Sequence, residues 1–301
     1  MQVFTSAACL GHHPGAGHPE SAVRLSTTCA ALDAARITVT DVPLPSGEAD
    51  VTDVLSMRHT PAHIAQLRAL DAEGGSFDAD THVGPGSWNA VVGACGAAMA
   101  AGSYAVAGRD NAFVAIRPPG HHALTDRGMG FCLVNHIAIL ASLARLPGTG
   151  RHRVLIVDWD VHHGNGTQAM VEREPDTRFV SMHQWPLYPG TGASDERGVG
   201  NCFNIPLPPG LARQVYVDAL WGGITAATAG WTPDIVLISA GYDGMRGDPL
   251  GGFTLEPDDY ATWIIRLREG FPDAPVVALM EGGYAPERLA AGVVATVRAM
   301  A

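Results

Sequence analysis

The chain has 301 residues, 30 acidic against 19 basic side chains and a formal net charge of −11, and it contains no lysine. Schiff-base lysine chemistry and a Walker-type phosphate lysine are therefore excluded. The acidic balance argues against nucleic acid or an anionic membrane surface as a partner.

At 47% apolar and 16% charged, the composition is that of a globular protein rather than a disordered one. No uninterrupted apolar run approaches the ~20 residues of a membrane span. Residues 1–10 carry no basic segment of the kind that opens a signal peptide. The five cysteines (Cys9, Cys29, Cys95, Cys132 and Cys202) form no Cys-x-x-Cys pair, which speaks against disulfide scaffolding and zinc fingers. These features lead us to expect a cytoplasmic enzyme.

In chain order, the pattern predicts a helix over 86–107, a strand over 111–116 and a helix over 134–146. Strands come next over 153–157 and 178–182, then a helix over 214–229, a strand over 234–239, a helix over 256–269 and a strand over 275–280. The strands are continuous apolar runs, as in parallel sheets covered on both faces. Alternation of such strands with helices predicts a single α/β domain over 1–301, a three-layer fold with a central parallel sheet and helices on both faces. The Pro-rich stretch 206–210 is too short to divide it.

The segments after the strands carry the chemistry. The strand ending at Ile116 leads to Arg117-Pro-Pro-Gly-His121-His122, and that ending at Val157 leads to Asp158-Trp-Asp160-Val-His162-His163-Gly-Asn165. Ser239 leads to Gly241-Tyr-Asp243 and Gly247-Asp248-Pro249, and Met280 leads to Glu281-Gly-Gly-Tyr284. Ligands of open parallel sheets bind outside the carboxyl ends of the strands, so four strands deliver His, Asp and Tyr to one edge.

Asp160 and His162 alternate along a segment leaving a strand and share a face. A carboxylate and an imidazole so placed can bind one divalent metal, with Asp248 the best candidate for a third ligand. Two Asp and one His leave room for water and a substrate oxygen and suit zinc, with Fe(II) or Co(II) as alternatives. The competing reading is that these side chains only bond their own loops, and for Asp248 alone, in a Gly-Asp-Pro turn, it is the stronger. A histidine of the His121–His122 pair near a metal can accept a proton from water, provided a partner such as Asp158 or Asn165 orients it. His12, His13, His59, His63, His82, His152 and His183 are read as structural or surface groups, and His163 as a packed neighbour of the site. Tyr284 could polarise a carbonyl, although a buried tyrosine bonded to backbone is the plainer reading. Phe131 and Tyr188 could wall an apolar slot for a linear chain.

Taken together, Gly17-His-Pro-Glu20 with Arg24, Arg117 to His122, Gly128-Met-Gly130-Phe131-Cys132, Asp158 to Gly166, Tyr188-Pro-Gly-Thr-Gly192, Ser239 to Gly252 and Glu281 to Tyr284 resemble the histone deacetylase superfamily, with its arginase-like α/β fold. Asn165 and Glu281-Gly-Gly-Tyr are closer to class II and bacterial members than to class I. The resemblance implies a zinc ion on Asp160, His162 and Asp248, and His122 as general base and acid with His121 as its electrostatic partner. It implies Asp158 on His121, Asn165 on His122, and Tyr284 polarising the scissile carbonyl. Phe131 and Tyr188 would flank an acyl-lysine tunnel, with Gly130 contributing backbone. A structural potassium ion is implied at Asp158 and Ser181 and the carbonyls of Asp160, His162 and Met182.

Three departures stand out. Asn165 replaces the class I aspartate, so the His122 dyad is uncharged and His122 should be less basic. Tyr188 stands where class I has phenylalanine, and His136 comes after Asn135 where two asparagines are common, for which only a packing effect is expected. Polyamine-selective relatives carry an acidic gatekeeper, whereas Leu255 occupies the position read as equivalent and is placed at the substrate. The expected activity is removal of an acyl group from N-acyl-lysine or a related small acylated amine, with self-association left open. An acetylpolyamine or secondary-metabolite deacetylase is the alternative, and a non-catalytic acyl-binding regulator a third reading. A binuclear manganese ureohydrolase would need more ligands than the Asp-x-Asp-x-His loop supplies.

Overall fold

The computed structural model describes residues 1–45, 48–108 and 110–301, with backbone alone for 48–50. Its centre is a sheet of eight strands: β1 (Gln2–Thr5), β2 (Val39–Asp41), β5 (Ala112–Ala115), β6 (Val154–Asp158), β7 (Thr177–Gln184), β8 (Cys202–Leu207), β9 (Ile235–Ala240) and β10 (Val276–Met280). The spatial order is β2-β1-β5-β10-β9-β6-β7-β8, and every pairing is parallel. The five strands expected from apolar runs are β5, β6, β7, β9 and β10. They are contiguous in the sheet, and β5, β6, β9 and β10 are buried at every position.

Helices cover both faces. Those expected from sequence are α4 (Ser87–Gly108), α5 (His136–Ala144), α7 (Arg213–Ala227) and α8 (Pro257–Gly270). To these the structure adds α1 (Ala22–Ala34), α2 (Glu48–Leu55), α3 (Pro61–Glu73), α6 (Asn165–Val171) and α9 (Pro286–Met300). α1, α9, α8 and α7 pack in succession, and α3, α4, α5 and α6 form a second succession. Helix α4 is by itself long and apolar enough to cross a membrane, a possibility that a search for unbroken apolar runs overlooks, because Ser87, Asn89, Gly93 and Ser103 interrupt it. Here it is a core helix: its apolar side chains pack on β1, β5 and α5, where burial stabilises by roughly 25 cal/mol per Å² of apolar surface.

A small antiparallel hairpin, β3 (Gly75–Ser76) with β4 (His82–Val83), stands above the sheet's carboxyl edge and carries the turn 77–81. The parallel arrangement sends every strand-to-helix loop to that same edge. The adjacent central strands β5, β10, β9 and β6 thus bring His121, Tyr284, Asp248 and Asp160 within one neighbourhood from four distant stretches of chain.

Candidate active site

The residues after β6 leave it in the alternation its extended backbone imposes. The His162 Nδ1 lies 3.0 Å from Asp160 Oδ1 and 3.2 Å from Asp243 Oδ2. One donor atom from each of Asp160, His162 and Asp243 falls within 4.8 Å of the others, so this buried group can hold a divalent metal. Asp248, the third ligand expected from sequence, is outside that group. Its Oδ2 accepts the Tyr284 and Ala285 amides at 2.6 and 3.3 Å, and its Oδ1 accepts the Leu250 amide at 2.9 Å. Asp243 was visible in the Gly-Tyr-Asp run after β9 but carried no assigned role.

Burial alone would make His162 less basic, yet the Asp160 and Asp243 carboxylates outweigh it and raise it to about 10. Burial, with the neighbouring Asp160 charge, lifts Asp243 to about 7. A site that holds several buried carboxylates around one imidazole is one that favours a cation.

The two histidines after β5 differ in charge. His121 Nδ1 is 3.0 Å from Asp158 Oδ2 and its Nε2 is 3.7 Å from Asp160 Oδ1. Burial opposes its protonation, but Asp160 and Asp158 overcome this and place it well above the ordinary histidine value. His122 faces the amide of Asn165, with Nδ1 at 2.7 Å from Oδ1. Asn165 Nδ2 points to the Met129 sulfur at 3.5 Å, which orients the amide so that Oδ1 accepts from His122 Nδ1–H. Burial and the neighbouring charges of His121 and His162 then hold His122 well below its ordinary value, neutral, with Nε2 free to accept.

Beneath them Glu281 Oε2 accepts the Gly120 and His121 amides at 2.6 and 3.2 Å, and its Oε1 lies 3.2 Å from Ser239 Oγ. Burial raises its carboxyl to about 7. Arg24 of α1 donates to the carbonyls of Glu281 and Gly283 and lies over the Tyr284 ring, 4.9 Å from its centroid. Glu20 pairs with both Arg24 and Arg117, all three fully buried. The loop that carries Tyr284 is therefore pinned from the first helix.

A pocket of about 240 Å³ opens above these groups, lined by His122, His162, Tyr284, Gly130, Phe131, Leu187, Tyr188, Leu250 and Asp80. The Phe131 and Tyr284 rings meet edge-on at 5.6 Å and the His122 and Tyr188 rings at 5.2 Å. No described residue hydrogen-bonds the Tyr284 hydroxyl, so the backbone partner of the plainer sequence reading is absent. Gly130 (φ 57°) leaves no room for a side chain: a Cβ there would stand 2.5 Å from His122 Cδ2 and 2.9 Å from Tyr188 Cε1.

Leu255 does not reach the pocket. It is fully buried, bridged to Met245 and packed in the main core, because residues 253–255 turn back beneath the loop; Leu250 lines the pocket instead. Asp80, from the β3–β4 turn, had no sequence signal. Ser181 stands beside Asp158 on the neighbouring strand, with Oγ 3.0 Å from His183 Nδ1, and Met182 is buried next to it. His163 is held by Thr191 and Gln168 at 2.8 and 3.0 Å, a packing role.

The parallel sheet with these loops gathered on its carboxyl edge is the arginase–deacetylase fold. Residues 18–300 match the family model of the histone deacetylase domain. Over 303 aligned residues the chain is 40% identical to an uncharacterised protein of Synechocystis sp., covering 99% of this chain and 98% of that one. It is 36% identical over 284 residues to a histone deacetylase-like amidohydrolase of Pseudomonas aeruginosa, covering 89% and 73%. The crystal structure of the HDA15 HD domain matches with a TM-score of 0.92 at 33% identity, covering 100% of this chain and 90% of that one. The chain belongs to the histone deacetylase family, a family of hydrolytic deacetylases.

Proposed function

We propose that this protein is a zinc-dependent deacylase that removes an acyl group, acetyl foremost, from N-acyl-lysine or a related acylated amine. The observation that carries this reading is the pairing, at the foot of one narrow pocket, of a histidine held by an amide and a histidine held by a carboxylate, beside a buried cluster of Asp160, His162 and Asp243. Zinc suits mixed carboxylate and imidazole donors, and when bound it supplies Lewis acidity toward water and the acyl oxygen.

Asp160 and His162 would hold the metal. We assign Asp248 as the third ligand, with Asp243 behind it: Asp243 has no exposed surface, whereas Asp248 keeps 8% and bonds the amides of Leu250 and Tyr284, which line the pocket. A catalytic ion needs ligands that border the substrate's space. A structural potassium ion at Asp158, Ser181 and the carbonyls of Asp160, His162 and Met182 belongs to the same proposal.

His122 takes a proton from water on Nε2 and returns it to the departing amine. His121, kept charged by Asp158, stabilises the negative charge that builds as water adds to the acyl carbon. The Tyr284 hydroxyl donates to the acyl oxygen, and Phe131 and Tyr188 hold the linear chain while excluding water. An acetylpolyamine is the second reading, favoured by the carboxylate of Asp80 on the pocket wall.

Chelation should abolish hydrolysis of an acetyl-lysine peptide and Zn²⁺ should restore it, with acetylpolyamine and longer acyl amides assayed in parallel. Asp248→Asn should lower zinc content more than Asp243→Asn. The reverse order would reassign the third ligand, and full activity after verified metal removal would end the zinc reading.

A further inference from the structure

The peptide that joins Gly130 to Phe131 has an uncommon backbone, with φ of 57° at Gly130 and 66° at Phe131. Glycine adopts such values freely, but a bulky residue does so at a cost, and the surroundings must hold it there. The holding group is Thr81, whose Oγ1 accepts the Phe131 N–H at 3.1 Å. Thr81 is itself 1% exposed and fixed on both sides. Its amide donates to Asp78 Oδ1 at 2.8 Å, and its carbonyl accepts the Phe77 amide at 3.0 Å.

A trans peptide is planar, so its C=O points opposite to its N–H. Fixing the Phe131 N–H on one side therefore aims the Gly130 carbonyl to the other. Gly130 lines the pocket through its backbone, wedged between His122 and Tyr188. No donor among the described residues satisfies that carbonyl, which leaves it as an acceptor for something in the pocket.

We propose that Thr81 is a positioning residue: by clamping the Phe131 N–H it fixes the aim of the Gly130 carbonyl, the backbone group that the family resemblance already gives to the substrate amide, and so it favours amides over esters. This rests on the deacylase reading above. An ester of the same acyl group has an oxygen where the amide has N–H, and gains nothing from the carbonyl's aim.

The test compares an N-acetyl-lysine peptide with its O-acetyl ester counterpart, on wild type, Thr81→Val, Thr81→Ala and Thr81→Ser. Loss of one hydrogen bond should cost Thr81→Val about 3- to 10-fold in kcat/KM on the amide, with the ester rate kept and Thr81→Ser restoring the amide rate. The ester rate and the melting temperature report any loosening of the fold, and Thr81→Ala provides a variant without the extra methyl. Equal losses on amide and ester, no loss on the amide, or Thr81→Ser behaving like Thr81→Val would each overturn the inference. A wild type inert toward both substrates would overturn the deacylase reading, and this inference with it.

Discussion

Replacing Gly130 by alanine adds one methyl group, and the structure fixes where it goes. The new Cβ would stand 2.5 and 2.9 Å from His122 Cδ2 and Cγ and 2.9 Å from Tyr188 Cε1. Real Cβ contacts do not come so close, so the His122 ring must move by roughly an ångström, measured against an ordinary carbon separation of about 3.5 Å. Tyr188 is 39% exposed and can swing away, but His122 is enclosed by Asn165, His121 and Cys132 and can move only by giving up its 2.7 Å contact with Asn165. An error of about 1 Å in a reacting group costs on the order of 10²-fold in rate. The left-handed φ adds about 1–2 kcal/mol of strain, which lowers the melting temperature by a few degrees. Gly130→Ala should therefore keep its metal, melt slightly earlier and lose on the order of 10²-fold in kcat. The assay is steady-state hydrolysis of an acetyl-lysine peptide beside metal content and thermal melting of the same sample. A wild-type kcat in a folded Gly130→Ala protein would refute the placement of His122 against this glycine and its role as base.

Tyr284→Phe removes a hydroxyl that no described residue bonds while it keeps the ring between Phe131 and Arg24. Loss of an oxyanion donor should reduce kcat by about 10²–10³-fold with KM little changed; a wild-type kcat would remove the phenol from the mechanism. Stability should fall in mild acid. Burial makes His59 and His183 protonate only near about 3, and His12, His136 and His163 near about 4, against 6.5 for a free imidazole. Between those values these five rings hold more protons in the unfolded chain, so their contribution, present above about pH 6.5, is lost as pH falls toward 4, opposed only in part by Asp243 and Glu281, which the folded chain protonates first. Melting temperatures measured from pH 7.5 to 4.5 should show this decline, and His136→Asn should flatten it; one constant melting temperature across that range would contradict the burial of these rings.

The central strands are legible in sequence because burial on both faces removes polar residues from them, leaving runs such as Val154–Asp158 that no helix period explains. The strands β1, β2 and β8, of which β2 and β8 are the sheet's edges, are only partly buried, and their mixed composition gives no comparable run. Helix α9 did carry signals, Pro286 in its first turn and apolar residues at helical spacing, which the strand-centred reading passes over. Residue types after each strand made the site legible, since His, Asp and Tyr there have few structural reasons to gather. Spacing could not separate Asp243 from Asp248, because both come after β9 and only three-dimensional packing tells which bonds the Tyr284 amide. Leu255 went astray for a related reason: counting positions along a loop ignores where the loop turns inward. Asp80 reaches the pocket, and Thr81 the Phe131 amide behind it, only through the β3–β4 hairpin, a two-residue pairing too slight to announce itself.

The order of strands also has a consequence for how the chain is made. β10, last of the eight to leave the ribosome, lies between β5 and β9 and pairs with both. Until residues 276–280 emerge, the sheet exists as two partial sheets, β2-β1-β5 and β9-β6-β7-β8, each with an open hydrogen-bonding edge facing where the other belongs. Such edges invite pairing with other chains, and joining them demands contacts of long sequence separation, which form slowly. The same late strand leads straight into Glu281, which pins the histidine loop, and then Tyr284. A nascent chain thus holds its Asp–His–Asp donors before Glu281 and Tyr284 can join them, and its period of open sheet edges ends with the insertion that completes the pocket.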